Sequence, residues 1–409
     1  MRPLEQARAD VVGAVPLLPA EATPLDRALG LVLVEPAIVP HDLPPFTNSA
    51  MDGFAVRAAD VAATPAELEV LEDVPAGSVA QAVVDEGNAI KIMTGAPMPG
   101  GADAVVRVED TESSDGTVRI LVGVEVGANV RPAGGDVRAG EVALPAGRRL
   151  TPAMIGVLAS IGVTEPVVRR RPRVAVMSTG DEVLPPDQEL RPGAIRDSNR
   201  PILRGLLAEL GAELVDLGII GDDADALRNA VARGAAEADA IITSGGVSMG
   251  EYDLVKQVLG ELGSVDFWQV AMQPGKPFAF GHVEGVPLFG LPGNPVSVTV
   301  AFEQFARPAL LTMMGAEAVL RPRITAVADE DLNSDPAKTV FLRAATSRDG
   351  DGWRVRLSGG QLSNMLSAVA AGDAFVVMPR GVADVPAGSS VTVEMFRWPE
   401  DRRFDEGIA

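Results

Sequence analysis

The sequence predicts a multidomain protein of the α/β and β classes, in which a three-layer α/β domain with a mostly parallel sheet joins β-rich regions. Its 409 residues exceed what one hydrophobic core ordinarily organises. Between residues 171 and 315, apolar runs alternate with amphipathic segments, the pattern of a sheet with helices on both faces. Short Val-rich runs broken by Gly, Asp and Pro occupy residues 53–150 and recur after Gly315, which predicts strands in both regions.

The first 40 residues predict a helical segment followed by an extended one. In TPLDRALG, Thr23 is a candidate N-cap, Pro24 suits the first helical position and Gly30 suits a stop. LVLVEPAIV then predicts a strand. The β-rich run ends at a second predicted helix over residues 151–162, which again opens on Thr-Pro and closes on Gly.

The α/β region alternates three apolar strands with three amphipathic helices. The predicted strands are RVAVMSTG, ELVDLGII and ADAIITSGG, and the predicted helices are NRPILRGLLAELG, DADALRNAVARGAAE and EYDLVKQVLGELG. In the first helix one apolar stripe recurs at helical spacing: Ile202, Leu203, Leu206, Leu207 and Leu210. These residues are therefore assigned to the core. Five short strands, RPRITAVAD, TVFLRAA, WRVRLSG, AFVVMPR and SVTVEMF, predict a smaller all-β domain at the C-terminal end.

Composition narrows the chemistry available to the chain. The formal net charge of −21 argues against a nucleic-acid partner, because a phosphate backbone is bound by a basic face. Without Cys and with only His41 and His282, the chain has no thiolate nucleophile and no His-rich zinc centre. The N-terminus fits a secretory signal poorly and no apolar run reaches membrane-spanning length, so we expect a cytoplasmic protein without a membrane partner.

Polar loops follow each predicted strand of the α/β region, where ligands of open α/β sheets bind. They are MSTGDEV, GIIGDDADAL and TSGGVSMGEYD, each combining glycine with a carboxylate. In the third loop, the predicted strand ends at Gly245-Gly246 and a predicted helix follows. Such a turn presents backbone N–H groups and the positive end of the helix dipole, which suits an anion. The alternative is a turn that uses glycine only for its backbone conformation.

The carboxylates of these loops indicate a cation beside the anion. A carboxylate close to a phosphate repels it by about 4 kcal/mol, more than the roughly 0.3–2 kcal/mol that a helix dipole supplies. Oxygen ligands without His or Cys favour Mg²⁺, for which Glu182 and Asp253 are the candidate ligands. For Asp222 and Asp223, capping of the next helix is an equal alternative.

Two further turns complete the predicted anion site. In GLPGNPVS, Pro295 suits the first position of a helix, Asn294 is a candidate N-cap, and Ser297 adds a hydroxyl. MQPGKPFAF places Lys276 on a turn between prolines, where it is either an anion ligand or an ordinary surface lysine. In the β-rich region, Asp52 and Thr94 stand in polar loops, and for Asp52 turn formation is the alternative.

Eight motifs in this order resemble the molybdopterin molybdenumtransferase family, which includes bacterial MoeA proteins and the E domain of gephyrin. They are NSAMDGFAVR, IMTGAPMPGGADAVV, STGDEV, IRDSNR, LGIIGDD, TSGGVSMGEYD, MQPGKPFAFG and LPGNPVS, and the resemblance runs from about residue 4 to 398. It implies insertion of molybdate into adenylylated molybdopterin, with Mg²⁺-dependent cleavage of the phosphoanhydride and release of AMP. It also implies a homodimer with its active site near the subunit interface, and recipient apo-molybdoenzymes or other molybdenum cofactor biosynthesis proteins as partners.

The resemblance implies four domains and a set of site residues. The domains are a helical and extended one (1–40 with 141–170), an inserted β-rich module (41–140), the α/β molybdopterin-binding domain (171–318) and a small C-terminal β-barrel (319–400). The implied catalytic residues are Asp52, Thr94, Glu182, Asp222 and Asp253. The implied substrate-binding residues are Ser178, Thr179, Gly180, Ser244, Gly245, Gly246, Ser248, Gln273, Lys276, Pro292, Gly293, Asn294, Pro295, Ser297, Arg343 and Ser363.

One departure and three alternatives stay open. Where some relatives carry lysines, this chain has Gln269 and Gln273, so two positive charges near the anion are missing. The alternatives to the molybdenum-inserting enzyme are a dimeric scaffold without catalysis, a pterin carrier and a molybdopterin adenylyltransferase. The adenylyltransferase lacks the inserted module and the barrel, so the length of this chain argues against it.

Overall fold

The computed structural model describes residues 1–246, 254–350 and 352–399, whose strands form three six-stranded sheets, one three-stranded sheet and four two-stranded pairs. The first elements are α1 (Leu4–Ala14), β1 (Ala20–Ala22), β2 (Val32–Leu33) and β3 (Ala37–Ile38). The predicted helix after Thr23 is wrong: only a 3₁₀ turn, Leu25–Arg27, forms there. The backbone donors around it bind other segments, Leu25 N–H the carbonyl of Thr164 and Gly30 N–H that of Leu150, each at 2.9 Å.

A β-rich module follows in the chain. Its strands are β4 (Asn48–Ser49), β5 (Gly53–Val56), β6 (Ala66–Val74), β7 (Asn88–Ile92), β8 (Ala104–Arg107), β9 (Thr111–Ser114), β10 (Thr117–Ile120) and β11 (Val130–Arg131). Six of them form one sheet in the order β8-β5-β7-β6-β10-β9, and β11 pairs with β4.

The chain then returns to the N-terminal elements. It does so through β12 (Val142–Leu144), α2 (Pro152–Ser160) and β13 (Val167–Arg169). β12 pairs with β3, and β13 lies between β1 and β2. The predicted cap of α2 is confirmed, because the Thr151 side chain accepts the N–H of Met154 at 3.4 Å.

The α/β domain contains the next sheet and most of the long helices. Its elements are β14 (Arg173–Thr179), β15 (Val183–Leu184), β16 (Ile195–Arg196), α3 (Asn199–Leu210), β17 (Glu213–Ile220), α4 (Ala224–Glu237), β18 (Ala240–Ser244), α5 (Leu254–Leu262), β19 (Gly263–Gln269), β20 (Met272–Gln273), β21 (Pro277–Val283), β22 (Val286–Leu291), α6 (Pro295–Ala301) and α7 (Arg307–Met313). The sheet order is β17-β14-β18-β22-β21-β19; the first four strands are parallel and β21 is antiparallel to both its neighbours.

Alternate residues of β14 pack into two different cores, which confirms the three layers. Val174 and Val176 belong to a core shared with α1, α3 and α7, whereas Ala175 and Met177 pack with residues of α4 and α5. A sheet with both faces buried is what a doubly covered parallel sheet requires. The first core also contains Leu4, so the N-terminal helix is packed onto the α/β domain.

The C-terminal domain is a closed five-stranded barrel. Its elements are β23 (Arg323–Ala328), β24 (Leu332–Asn333), β25 (Thr339–Asp349), β26 (Gly352–Leu357), α8 (Leu366–Ala370), β27 (Ala374–Met378), β28 (Asp384–Val385) and β29 (Ser390–Met395). The ring runs β25-β26-β23-β29-β27 and closes where β27 pairs with β25. β20 of the α/β domain pairs with β25, which joins the two domains. The fold class is thus confirmed, while the predicted domain boundaries stay a prediction.

Candidate functional site

A cavity of about 1210 Å³ opens at the carboxyl ends of the parallel strands. Its wall contains twelve predicted site residues: Ser178, Thr179, Gly180, Glu182, Asp222, Ser244, Gly245, Gly246, Pro292, Gly293, Asn294 and Pro295. They come from the turns after β14, β17, β18 and β22, four neighbouring strands of one sheet. The sheet topology therefore collects into one site residues that are more than 100 positions apart in the chain.

The glycine turn after β18 is built for close approach. Gly245 has φ +98° and Gly246 has φ +66°, a conformation that side-chain-bearing residues rarely adopt. A Cβ on Gly245 would lie 2.8 Å from Oγ1 of Thr179, so the turns after β18 and β14 touch here. The N–H of Gly245 donates to the carbonyl of Leu291 at 3.1 Å, so this donor ties the turn to β22 and is not available to a ligand.

The carboxylates after β14 and β17 have different roles. Glu182 lies against Gly180, whose φ of +125° and missing side chain leave room for it. Asp181 accepts the N–H of Asp222 at 3.0 Å, which joins the two loops. Asp223 accepts the N–H of Ala226 at 2.7 Å and caps α4, whereas Asp222 lines the cavity. The capping alternative thus applies to Asp223 and not to Asp222.

The start of α6 receives its cap from another domain. Asn294 is the N-cap residue, as predicted, but its side chain makes no capping hydrogen bond. Instead, the N–H of Val296 donates to the carbonyl of Ser363, in the barrel, at 3.3 Å. The next barrel residue, Asn364, lines the cavity, so the barrel completes one wall of the site. Ser297, in the first turn of α6, is buried and is not among the lining residues.

Three family models match the chain. They are the MoeA N-terminal region (domain I and II) over residues 2–162, a probable molybdopterin binding domain over residues 175–312, and the MoeA C-terminal region (domain IV) over residues 325–396. Molybdopterin molybdenumtransferase 2 of Mycobacterium tuberculosis is 40% identical over 380 residues, 90% of this chain and 93% of that protein. Molybdopterin molybdenumtransferase of Haemophilus influenzae is 37% identical over 400 residues, 97% and 99% of the two chains.

The chain belongs to the molybdopterin molybdenumtransferase family. It is an enzyme of molybdenum cofactor biosynthesis, a transferase. Two solved structures titled as molybdopterin biosynthesis MoeA proteins of Pyrococcus horikoshii are similar over 97% of this chain. One has a TM-score of 0.82 at 28% identity and covers 100% of that chain; the other has a TM-score of 0.76 at 34% identity and covers 99%.

Several residues that the family resemblance implies lie outside the cavity lining. Gln273, at the end of β20, and Lys276, on the turn between β20 and β21, are both exposed. Gln273 carries no positive charge, but a lysine of the barrel lies beside it. Lys338 Nζ donates a hydrogen bond to Gln273 Oε1 at 3.1 Å. Lys338 also pairs with Asp335 at 2.7 Å.

Arg343 is a buried guanidinium of the barrel, 1% exposed. It donates to the carbonyls of Phe341, Gly360 and Leu362 at 3.2–3.5 Å. Burial lowers the pKa of Arg343 to about 10. Through these hydrogen bonds, Arg343 holds the barrel loop that carries Ser363. Ser363 is a predicted site residue, and its backbone carbonyl caps α6.

The remaining predicted residues divide into two groups. Asp52 and Thr94 are hydrogen-bonded to each other in the β-rich module and are not among the lining residues of the cavity. Ser248 and Asp253 lie outside the described residues.

Sequence reasoning missed several lining residues, among them Asp197 and Asn199. Asp197 is buried and accepts the hydroxyl of Ser178 at 3.0 Å, and Asn199 Nδ2 donates to the carbonyl of Gly293 at 2.6 Å. The signal was present in the IRDSNR motif. A carboxylate and an amide at the start of a helix are also ordinary turn and helix-end residues, so the motif alone does not assign them.

Within the described residues, no group of three or more His, Asp or Glu side chains is arranged to hold a metal ion. Mg²⁺ is often bound by only one or two carboxylates together with substrate phosphates, so the carboxylates on the cavity wall fit it chemically. None of the helices in the described ranges combines the length and apolar character needed to cross a bilayer.

Proposed function

We propose that the chain inserts molybdate into adenylylated molybdopterin, splits the phosphoanhydride with the help of Mg²⁺, and releases AMP. The observation that carries this proposal is the cavity itself, in which glycine turns and carboxylates from four neighbouring strands converge in a molybdopterin molybdenumtransferase fold. Its volume of about 1210 Å³ exceeds the roughly 300–1,000 Å³ of sites for drug-sized ligands. A ligand with two ring systems joined by a diphosphate suits that size.

The charges on the cavity wall support a metal-assisted reaction. Glu182 and Asp222 alone would repel a diphosphate, by about 4 kcal/mol for each close pair. In the proposal, Glu182 and Asp253 would hold Mg²⁺, which would neutralise the charge that develops on the phosphoryl oxygens. The glycine turns give the diphosphate close access to the backbone, and it is oriented by backbone N–H groups other than those of Gly180, Gly245 and Val296, which already donate within the protein.

A homodimer accounts for the pair formed by Asp52 and Thr94. Both residues are exposed in the β-rich module and are not among the residues that line the cavity of their own chain. In the proposed homodimer the module brings this pair toward the active site of the partner subunit. Cytoplasmic location, and transfer of the product to apo-molybdoenzymes or other biosynthesis proteins, belong to the same proposal.

The test is AMP release from purified adenylylated molybdopterin with Mg²⁺, with and without molybdate. Reconstitution of a cofactor-free molybdoenzyme is scored in the same samples. Molybdate-dependent AMP release with reconstitution is the expected result. If the adenylylated pterin binds without release of AMP, the proposal fails and a carrier or scaffold role replaces it.

A further inference from the structure

Three buried polar atoms on the cavity wall have no hydrogen-bond partner among the described residues. They are Oδ2 of Asp197, Oδ1 of Asn199 and Oγ of Ser244. The large majority of buried side-chain polar atoms in native proteins have a hydrogen-bond partner, because an unpaired one loses its hydration and gains nothing in return. Three such atoms in one cavity indicate that a ligand completes their hydrogen bonds.

Asp197 makes its hydrogen bonds through one carboxylate oxygen. Its Oδ1 accepts the hydroxyl of Ser178 at 3.0 Å and the N–H of Arg200 at 3.1 Å. Arg200 Nε is 3.5 Å from Oδ2, and it is equally far from Oδ1 of the more exposed Asp216. The guanidinium therefore balances charge between two carboxylates, while Oδ2 keeps its capacity to accept a hydrogen bond.

Asn199 and Ser244 add to this acceptor-rich wall. The hydrogen bond from Asn199 Nδ2 to the carbonyl of Gly293 fixes the amide, which leaves Oδ1 as the unfilled acceptor. Ser244 ends β18 and is 2% exposed, so its hydroxyl has lost bulk water. Two of the three atoms can only accept hydrogen bonds, and one of them belongs to a carboxylate, so an anionic group is disfavoured here.

We infer that Asp197, Asn199 and Ser244 form a subsite for a neutral ligand group with adjacent N–H or O–H donors, distinct from the glycine turns that suit the diphosphate. The inference rests on the proposed function, which supplies two sources of this chemistry. One is the amino group and ring N–H of the pterin, and the other is the amino group and ribose hydroxyls of the adenosine half. The subsite formed by Asp197, Asn199 and Ser244 then determines whether the pterin or the adenosine half of the substrate binds at this end of the cavity.

The test measures equilibrium binding of two probes, AMP and 6-hydroxymethylpterin, by titration calorimetry with and without Mg²⁺. Asp197→Asn replaces the unfilled acceptor by an amide that can oppose a ligand donor. We expect it to weaken binding of one probe by about 10- to 100-fold and to leave the other unchanged. Asp216→Asn is the matched control, since it alters the second carboxylate beside Arg200 away from the cavity lining, and it should change neither affinity.

Unchanged affinity for both probes in Asp197→Asn overturns the inference. Weaker binding that occurs only with Mg²⁺ also overturns it, because Asp197 is then a cation ligand. Wild-type protein that binds a probe but does not release AMP contradicts the proposed function alone. Wild-type protein that releases AMP, with binding unaltered in the variant, contradicts the inference alone.

Ser244→Ala keeps the inference testable if Asp197→Asn does not fold. It deletes an unpaired buried hydroxyl, so the ligand-free variant should unfold at the same temperature as the wild type or higher. The same probe should bind more weakly. A lower unfolding temperature with unchanged affinity for both probes indicates a structural hydroxyl and overturns the inference.

Discussion

Thr94 donates two hydrogen bonds to one carboxylate oxygen of Asp52, from its backbone N–H and from its hydroxyl, both at 2.7 Å. The pair lies where β5 begins and β7 has ended, on neighbouring strands of the module sheet. The two hydrogen bonds, the backbone one first, hold the pKa of Asp52 below its ordinary value. An exposed carboxylate is thereby kept ionised and fixed in direction.

Thr94→Val removes the hydroxyl donor and keeps the backbone donor, so the pKa of Asp52 should rise but stay below its ordinary value. Because the folded pKa is the lower one, Asp52 stabilises the fold above about pH 4, and this contribution is lost as the pH falls through the folded pKa. As the pH falls, Thr94→Val should lose this stabilising contribution of Asp52 at a higher pH than the wild type does. Carboxyl NMR titration of Asp52 checks this; Thr94→Ser, which keeps the hydroxyl, should titrate like the wild type.

The neighbours Asp222 and Asp223 should give opposite phenotypes. Asp222→Ala removes a carboxylate from the cavity wall, so we expect turnover to fall about 100-fold or more with little change in stability. Asp223→Ala removes the cap of α4 and should cost about 1 kcal/mol of unfolding free energy while turnover is retained. AMP release and urea unfolding of both variants decide this. Equal turnover in the two variants would contradict the assignment.

Gly245→Ala should weaken ligand binding in addition to the loss of stability that backbone strain causes. Its Cβ would meet Thr179 at 2.8 Å, in addition to the strain of φ +98°. Gly193→Ala is the control, since Gly193 has φ +81° with no atom within 4 Å of the added Cβ. Both should lose about 1 kcal/mol of stability from φ, and only Gly245→Ala should weaken AMP binding. Calorimetric titration with AMP tests the difference.

Glu303, in the π-helical turn Phe302–Ala306 between α6 and α7, is the centre of a buried charge cluster with Arg307 and Arg321. Arg321 binds both its oxygens at 2.8 Å, and the side chain of Glu303 is 1% exposed. Glu303→Ala leaves a half-buried guanidinium unpaired, so we expect a loss of about 3–5 kcal/mol. Glu261→Ala breaks an exposed pair with Arg228 of the same length, 2.8 Å, and should cost less than about 1 kcal/mol. Chemical unfolding of both variants measures the contrast.

Lys338 should support anion binding where the chain carries Gln273. Lys338→Met removes the charge that reaches Gln273 Oε1, so we expect KM for molybdate to rise by up to about 5-fold with kcat unchanged. Lys91→Met is the control, because Lys91 makes a comparable pair with Asp73 at 2.8 Å in the β-rich module. Identical molybdate dependence in the wild type and Lys338→Met would show that this charge does not act on the anion.

The sequence predicts the parts of the site that follow from strand order. Thr179 ends β14, and Gly245 and Gly293 lie in the turns that follow β18 and β22, so their convergence at one edge of the parallel sheet follows from topology. The position of Asp197 could not be predicted in this way, because Asp197 follows a two-residue strand outside the main sheet. Only tertiary packing brings it next to Ser178.

The cap of α6 also depends on a contact that is distant in the sequence. Asn294 occupies the predicted N-cap position, yet the acceptor for the first turn comes from Ser363, almost 70 residues later. Local preference places the helix start correctly, but it cannot reveal a partner contributed by another domain. The five-strand closure of the barrel is likewise a long-range pairing, of β25 with β27, and no local pattern encodes it.

The hydrogen bond from Val296 to Ser363 joins the start of α6, at the wall of the cavity, to the barrel. By reciprocity, a ligand that favours the docked arrangement strengthens docking by the same factor by which docking strengthens the ligand. A ligand that bound more tightly with the barrel docked would therefore also attach the barrel more firmly, although the barrel supplies none of the glycine turns.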